Sequence, residues 1–369
     1  MRNKPNLLIF RVRTTLLTYS LMSPSQLLTF RSFPLILPAI TPSKTSATMA
    51  TQKSQLNIVM GAMTFGKEGT NGARVHDVKD VEAILDEFLK RGHTEIDTAR
   101  VYCAGTSEEI LGQIDWKAKG LKLETKLVAR HDLKKHLLRS LKALNTEQLE
   151  MWYLHSPDRL TPYEVTMKAV NDLYKEGYFK KFAISNYMAW EVAEIVGICK
   201  ANGYILPSAY QGIYNAVHRA AEPELFPCLR KFGISFYEFN PLGGGFFTGR
   251  YTSVDDQVEP GSRFDPNKAQ GKNYRNRYWK EPYFKAVASI QAVADQHKLT
   301  MAEIALRWVS HHSLMKREYG DAILIGASSL EHIRQNLIDL EKGPLPEEVV
   351  TALDKAWESV KPYASKYHH

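Results

Sequence analysis

A chain of 369 residues, 44% hydrophobic and 24% charged, holds ample material for one large core, and a chain of this length is often a single domain. Its formal charge of +8 is unevenly placed: six of the 48 basic residues and none of the 40 acids lie in residues 1–48, so the other 321 residues carry 42 basic against 40 acidic groups, or +2. The pI of 9.1 therefore describes the N-terminal segment, and the body, which has no basic helix and no aromatic-basic interleaving, gives no case for nucleic acid.

The first acid in the chain is Glu68, and the sequence before Met49 is rich in Arg, Ser, Thr, Leu and Pro. Residues 1–55 are expected to be a disordered extension ahead of one folded body at 56–369. The composition suits a mitochondrial transit peptide. Equally, Met49-Ala50-Thr51-Gln52 looks like an ordinary start, which would leave the protein cytoplasmic; a secretory or anchoring segment is the third reading. No apolar run approaches the ~18–20 residues a membrane span needs, and Pro24, Pro34, Pro38 and Pro42 interrupt what there is. A native N-terminus at Met49 or Ala50 removes the targeting reading.

In the body, residues 56–60 read as a first strand ending at Gly61, followed by a loop with Gly66, Gly69 and Gly72. From Asp77 the period changes: Val78, Val81, Ile84, Leu85, Phe88 and Leu89 recur at three- and four-residue spacing, the mark of one helix face. Asp77 caps this helix and Gly92 ends it. Strands are then predicted at 93–97, 121–126, 149–155, 179–185, 207–211, 234–240 and 322–326. Helices are predicted at 107–114, 133–144, 162–176, 189–202, 222–232, near 283–297, and at 300–312 and 330–340. Eight strand-helix units over about 285 residues argue for a parallel sheet with helical crossovers, and at this length for a closed (β/α)8 TIM barrel. An open doubly wound sheet is the alternative, but the G-x-G-x-x-G turn of its dinucleotide version is absent.

Three cysteines, Cys103, Cys199 and Cys228, show no C-x-x-C spacing, so neither a zinc site nor a disulfide framework is indicated, no metal is expected, and a reducing compartment is the natural reading. Cys103 is either a redox-sensitive thiol or a small buried filler.

In a barrel of this kind chemistry sits at the carboxyl ends of the strands. Asp97 ends the second predicted strand, Lys126 the third, His155 the fourth, Ser185 and Asn186 the fifth, Gln211 the sixth, Phe239 and Asn240 the seventh. Taken singly, Asp97 could cap a turn, Lys126 could be solvated and His155 could be a satisfied core histidine. Polar residues closing six successive strands are hard to explain as packing.

The motifs GHTEIDTARVY (92–102), ETK (124–126), MWYLHSPD (151–158), ISNY (184–187), YQGIYN (210–215), FNPLGGGFFTGR (239–250), YRNRYWK (274–280) and IGASSLEHIRQN (325–336) together resemble the aldo-keto reductase superfamily, and within it the aflatoxin aldehyde reductase-like subfamily. The resemblance covers about residues 56–360. It implies a catalytic tetrad of Asp97, Tyr102, Lys126 and His155, NADPH as cofactor and a small-molecule carbonyl as substrate. A free tyrosine, with a pKa near ~10, is a poor acid at neutral pH. Lys126 is expected to lower that pKa, Asp97 to pair with Lys126, and His155 to orient the carbonyl oxygen that Tyr102 protonates.

The resemblance further implies that Ser185, Asn186 and Gln211 hold the nicotinamide amide, with Asp97 at its edge, and that Phe239 stacks on the ring. Asn240, Pro241, Leu242, Gly244, Gly245 and Arg250 would wrap the pyrophosphate, the glycines allowing close backbone approach. Gly326, Ser328, Ser329, His332 and Arg334 would hold the adenosine 2′-phosphate, and Gln335 and Asn336 the adenine. His332 stands where many members carry a phosphate-binding arginine. Ser328 and Glu331 also have capping-box spacing. The segment from Pro241 to Pro282 is expected to be a long covering loop, in which Tyr274, Arg275 and Arg277 form an anionic handle for aldehydes bearing a distal acid, such as succinic semialdehyde, and for dicarbonyls. The C-terminal ASKYHH lacks the arginine that subfamily relatives place there. Only Leu127 to Asp132 separates Lys126 from Leu133, a shorter connection than relatives carry. A homodimer is the assembly the resemblance suggests. Two other classes stand beside it: a non-catalytic regulatory subunit, like the reductase-fold proteins attached to potassium channels, and a metal-dependent barrel hydrolase, for which no His-x-His is present.

Overall fold

Eight short parallel strands are hydrogen-bonded in chain order: β1 (Asn57–Gly61), β2 (Glu95–Asp97), β3 (Lys122–Leu127), β4 (Leu149–Leu154), β5 (Phe179–Ser185), β6 (Pro207–Ile213), β7 (Ser235–Phe239) and β8 (Ala322–Gly326). β8 pairs back onto β1 over its whole length, from Asn57 opposite Ala322 to Gly61 opposite Gly326, and so closes the ring. This computed structural model describes residues 52–128 and 132–369. The expectation of a disordered extension therefore falls outside the described residues up to 51, as does 129–131 in the short connection after Lys126.

The two-residue period of the strands builds both sides of the ring. Val59, Met151, Tyr153, Ala183, Ala209, Tyr237, Ala322 and Leu324 point inward and fill the barrel. Alternate residues such as Ile96, Leu123, Trp152, Phe182, Tyr210, Phe236 and Ile323 belong to the larger apolar layer shared with the helices. The first six crossovers carry α1 (Val78–Lys90), α2 (Thr106–Leu111), α3 (Leu133–Ala143), α4 (Tyr163–Lys175), α5 (Ala189–Asn202) and α6 (Leu225–Phe232). In α1 the predicted stripe is the buried one, Val81, Ile84, Leu85 and Phe88, and Asp77 accepts from the Lys79 N–H as its cap. The predicted stop also holds: Gly92 follows with φ of 80°, the left-handed region that glycine enters most cheaply.

Four departures from the expected layout have physical reasons. The segment from Pro241 to Pro282 is not a simple loop: it holds a 3₁₀ turn at Gly243–Thr248, α7 (Ala269–Tyr278) and the start of α8 (Glu281–Gln296). No apolar stripe marks α7; it is held by Tyr274 and Tyr278, buried among Phe246, Phe264 and Tyr283. Next, α6 starts at Leu225 rather than 222, because Asn215–Glu222 forms turns, with Asn215 and His218 exchanging backbone hydrogen bonds. A helix not predicted, α11 (Glu347–Val360), follows α9 (Met301–His311) and α10 (Leu330–Leu340), and buries Val349, Leu353, Ala356, Trp357 and Val360. Finally, residues 52–55, assigned to the extension, are tied to the barrel: Arg317 donates to the carbonyls of Ser54 (2.7 Å) and Gln55 (3.0 Å), and Gln52 donates to the Gly92 carbonyl. Among the described residues no helix is long and apolar enough to cross a membrane.

Candidate active site

The strand parity that fills the barrel with Tyr153 and Ala183 lower down brings Asp97, Lys126, Ser185, Gln211 and Phe239 inward at its carboxyl end. Lys126 is fully buried and donates to both carboxylate oxygens of Asp97, at 2.5 and 2.6 Å, and to the Thr98 carbonyl at 2.9 Å. Gln211 donates to the same Asp97 at 2.9 Å. Burial opposes the charge on Lys126, but Asp97 and Tyr102 more than offset it, so its pKa ends above the usual lysine value. This is a paired buried charge, the form in which burial is tolerated.

Tyr102 reaches the pair from the loop after β2. Its ring centroid lies 5.0 Å from Lys126 Nζ, and its edge meets the His155 ring at 5.9 Å. That loop is fixed from behind: Arg100 and Thr125 each donate to the buried Glu108 at 2.7 Å, and Ser107 donates to the Ala62 carbonyl. Cys103 (φ 49°) and Ala104 (φ 56°) are left-handed, followed by Gly105 at 96°. Non-glycine residues held there store strain of about 1–3 kcal/mol each, which is how the chain turns sharply after the phenol. The Cys103 thiol is buried, donates to the Met63 carbonyl, and burial raises its pKa, so the filler reading fits it better than the reactive one.

Lys126 was expected to leave Tyr102 more acidic than a free phenol. Burial is the largest influence and raises its pKa; Lys126 lowers it, Asp97 raises it, and the net direction is upward. The protein before reaction thus holds a protonated tyrosine, while the adjacent ammonium stabilises the phenolate once the proton leaves. His155 stands just past β4, with its pKa pushed down to about 3 by burial, then by the charges of Lys126 and His369. It is a neutral imidazole, and its Nδ1 is buried without a partner.

Two further histidines, His93 and His218, are also held down to about 4, chiefly by burial. Because the folded values lie below the ordinary 6.5, the unfolded chain binds protons first as pH falls. The stability these neutral rings supply is therefore present above 6.5 and lost below it. We predict a loss of at most about 2 kcal/mol per histidine between pH 6.5 and pH 5, read from urea midpoints. A midpoint that does not fall over this interval contradicts the neutral assignment.

The residues expected to hold a nicotinamide cofactor fit one. Asn186 (φ 67°) and Asn240 (φ 72°) are left-handed just past β5 and β7, and Asn186 Oδ1 and Asn240 Nδ2 are buried without partners among the described residues, an acceptor and a donor suited to a polar ring substituent. Asn186 Nδ2 donates to Ser185 Oγ at 2.9 Å and to the His155 carbonyl at 2.8 Å. Phe239 is half-buried on the inner face, with the Arg277 guanidinium 6.0 Å from its ring centroid. Beyond Pro241 and Leu242, Gly243, Gly244 and Gly245 all have positive φ. A Cβ on Gly244 would sit 2.1 Å from the Tyr274 ring, so the close approach of turn and ring requires glycine there.

At the outer end, the α10 cap falls one residue later than its spacing suggested: Ser329, not Ser328, accepts from the His332 N–H, and Ser328 Oγ bonds His332 Nδ1 at 2.9 Å. Asn336 donates to the Gly326 carbonyl and Gln335 to Asp339. Two arginines expected on phosphates have protein partners: Arg250 pairs with Glu259 at 3.0 Å and Arg334 approaches Glu87 at 3.6 Å. Of the substrate handle, Tyr274 donates to Asn240 Oδ1, and Arg277 lies against the Phe239 and Tyr274 rings and 3.4 Å from His369 Nε2. Arg275 does not join them; its Nε donates to the Phe264 carbonyl at 2.7 Å and its guanidinium stacks on Trp279.

Sequence reasoning missed two residues here. Arg263 lies 5.7 Å from the Tyr274 ring and beside Gly326, with no carboxylate partner among the described residues. His369 donates its N–H to the Asn186 carbonyl at 3.2 Å, which brings the chain terminus to the mouth. Neither belongs to a periodic element, so no local signal marks them.

A closed barrel whose mouth gathers a tyrosine, a buried lysine-aspartate pair and a neutral histidine defines a barrel enzyme with an acid-base site. The family model for the aldo/keto reductase family matches residues 57–358. An aldo-keto reductase of Pseudocercospora fijiensis is 50% identical over 77% of this chain and 99% of its own length. Aldo-keto reductase family 7 member A3 of Homo sapiens is 45% identical over 82% of this chain and 94% of its own. Aflatoxin B1 aldehyde reductase member 2 of Mus musculus is 42% identical over 82% and 84%. The chain belongs to the aldo/keto reductase family, and is an oxidoreductase acting on carbonyl groups of small molecules.

Proposed function

We propose that this enzyme reduces aldehydes and ketones to alcohols at the expense of NADPH, with Tyr102 as the proton donor. The observation that carries the reading is the convergence of Tyr102, Lys126, Asp97 and His155 inside one ring of strand ends. A bound reduced nicotinamide supplies the hydride. The chain's own groups do the rest. His155, neutral, donates a hydrogen bond to the carbonyl oxygen and fixes its direction. Tyr102 passes its proton to that oxygen, and Lys126, held by Asp97, stabilises the phenolate left behind. Ser185, Asn186 and Gln211 would hold the cofactor's amide, Phe239 its ring, and the turn from Asn240 its phosphates.

The preference for NADPH is assigned to Arg263 and to the start of α10, where Ser328, Ser329 and His332 meet a helix N-terminus suited to an anion. One lost charge-assisted contact of about 1.5–3 kcal/mol predicts roughly ten- to hundred-fold weaker use of NADH. The substrates favoured are aldehydes with a distal carboxylate. Arg277 meets two rings and an imidazole and no acidic side chain among the described residues, so its charge is free to pair with an anion.

The test is NADPH oxidation with succinic semialdehyde and with 4-nitrobenzaldehyde, NADH in parallel. Arg277→Met is expected to raise KM for the acidic aldehyde about ten-fold or more, the cost of a desolvated ion pair, and to change the uncharged one by about two-fold at most. Equal changes for both substrates remove the anionic handle. No turnover with any aldehyde would favour a regulatory subunit instead. A cytoplasmic location is proposed with it, and the native N-terminus tests that separately.

A further inference from the structure

The turn that carries Tyr102 is laced to β3 from behind, and one buried carboxylate gathers the side-chain part of that lacing. Past the end of β2 the backbone still runs along β3: the Thr98 N–H donates to the Glu124 carbonyl at 2.9 Å and the Arg100 N–H to the Lys126 carbonyl at 3.2 Å. The chain then turns, with the Tyr102 N–H on the Ala99 carbonyl at 3.0 Å, and passes through the left-handed residues Cys103, Ala104 and Gly105. Strained backbone of this kind persists only where its surroundings over-determine it. Here the surroundings converge on Glu108, fully buried in the first turn of α2. Its Oε2 accepts from Arg100, two residues before the phenol, and its Oε1 from Thr125, one residue before Lys126, each at 2.7 Å. The Arg100 guanidinium lies across Gly105, where a Cβ would sit 2.3 Å from its Nη2. The two oxygens of one carboxylate thus tie the chain beside the proton donor to the chain beside the ammonium that stabilises its phenolate.

A buried ion pair is a poor source of stability, because the cost of desolvating the charges offsets their attraction. That cost falls on Glu108, which is fully buried, while Arg100 remains 26% exposed. Apolar side chains of the same volume stabilise as well or better; the charged group adds short, directional bonds that fix a geometry. Resting on the reductase reading, we propose that Glu108, with Arg100 and Thr125 as its two arms, is a positioning residue for proton transfer. It sets the placement of the Tyr102 ring, whose centroid lies 5.0 Å from Lys126 Nζ. It acts through Tyr102 and touches no reacting atom. The placement matters because a shift of about 1 Å in a reacting group costs up to about 10²-fold in rate. The role differs from packing: a glutamine in place of Glu108 would fill the same volume, but has one acceptor oxygen for two donors.

The test is single-turnover reduction of 4-nitrobenzaldehyde by the full-length enzyme over a range of aldehyde concentrations, with NADPH affinity from fluorescence titration. Glu108→Gln is expected to lower the limiting rate about ten- to hundred-fold, with the half-saturating aldehyde concentration and NADPH affinity within about two-fold of native. In the Tyr102→Phe background the same substitution should change the residual rate by less than about two-fold, because a residue that acts only through the phenol has nothing left to act on. A residue that merely holds the fold together lowers both backgrounds by one factor. Thr125→Val removes the β3 arm, leaves the ion pair in place, and is expected to lower the limiting rate about three- to ten-fold. Thr125→Ser, which keeps the hydroxyl, should stay within about two-fold of native. If Glu108→Gln does not fold, the comparison of both backgrounds made with Thr125→Val decides. A native-level limiting rate in Glu108→Gln or Thr125→Val, equal loss in both backgrounds, or a loss of aldehyde or cofactor affinity that matches the fall in rate overturns the positioning role. No reduction of any aldehyde by the native enzyme overturns the reductase reading instead, and a near-native rate in Tyr102→Phe overturns its proton donor.

Discussion

Tyr102→Phe is expected to lose about 10²–10⁴-fold in kcat, the range a positioned general acid supplies, while NADPH affinity stays within about two-fold of native. The separation of the two effects follows from the site. Among the described residues the Tyr102 hydroxyl makes no hydrogen bond that holds a strand in place; its ring lies beside Lys126 and the His155 ring. Removing one oxygen leaves the ring contact with His155 and the Asp97–Lys126 pair intact. The groups assigned to the cofactor, Ser185, Asn186, Gln211 and Phe239, make their contacts elsewhere. Burial keeps the native phenol protonated, so the residue enters each cycle as an acid rather than a base. Cofactor binding by fluorescence titration and turnover by absorbance measure the two quantities on one sample. Turnover near the native value in the phenylalanine variant would remove the proton-donor assignment.

Lys126→Met should abolish turnover and also destabilise the fold by about 3–5 kcal/mol, the cost of leaving a buried charge without its partner. Asp97 is 2% exposed, and two of its three short contacts come from Lys126. Methionine matches the length of the lysine stem, so little of the loss comes from packing. The double variant Lys126→Met, Asp97→Asn removes the stranded charge, and should recover most of the stability and none of the activity. That non-additivity identifies the pair as one electrostatic unit. A single variant as stable as the native chain would mean that the pair is solvated and that the ring is open at this depth.

How much of this was legible beforehand varies by element. The strands lie within two residues of where the short runs between helical stretches placed them, because each run is bounded in the sequence by a change of pattern. Asp97, Lys126, His155, Ser185, Asn186, Gln211 and Phe239 were found by position alone: each stands at the end of such a run, and a closed ring brings all ends to one mouth. The helix at Glu347–Val360 was not predicted, although its Val349, Leu353, Ala356 and Val360 recur at helical intervals. The helix at Ala269–Tyr278 was not legible, because a segment reading AQGKNYRNRY has no apolar stripe and is helical only where Tyr274 and Tyr278 find an aromatic cluster from other parts of the chain.

The order of chain segments, the closed ring and the residues at its carboxyl rim were determined by the sequence itself, through periods that act over two to four residues. Only the tertiary structure decided the rest. The direction of the Tyr102 shift depends on burial outweighing Lys126, a balance set between the loop after β2 and the residues it meets. The same holds for which arginines are spent: Arg275 on Phe264 and Trp279, Arg250 on Glu259, and Arg277 on no carboxylate among the described residues. It holds for His369, which reaches Asn186 from 183 residues away in the chain, and for Glu124 beside Asp97, whose pKa burial pushes well above the carboxylate range. Desolvation and Coulomb interaction act through space, and a local pattern carries no record of what the fold will bring within a few ångströms.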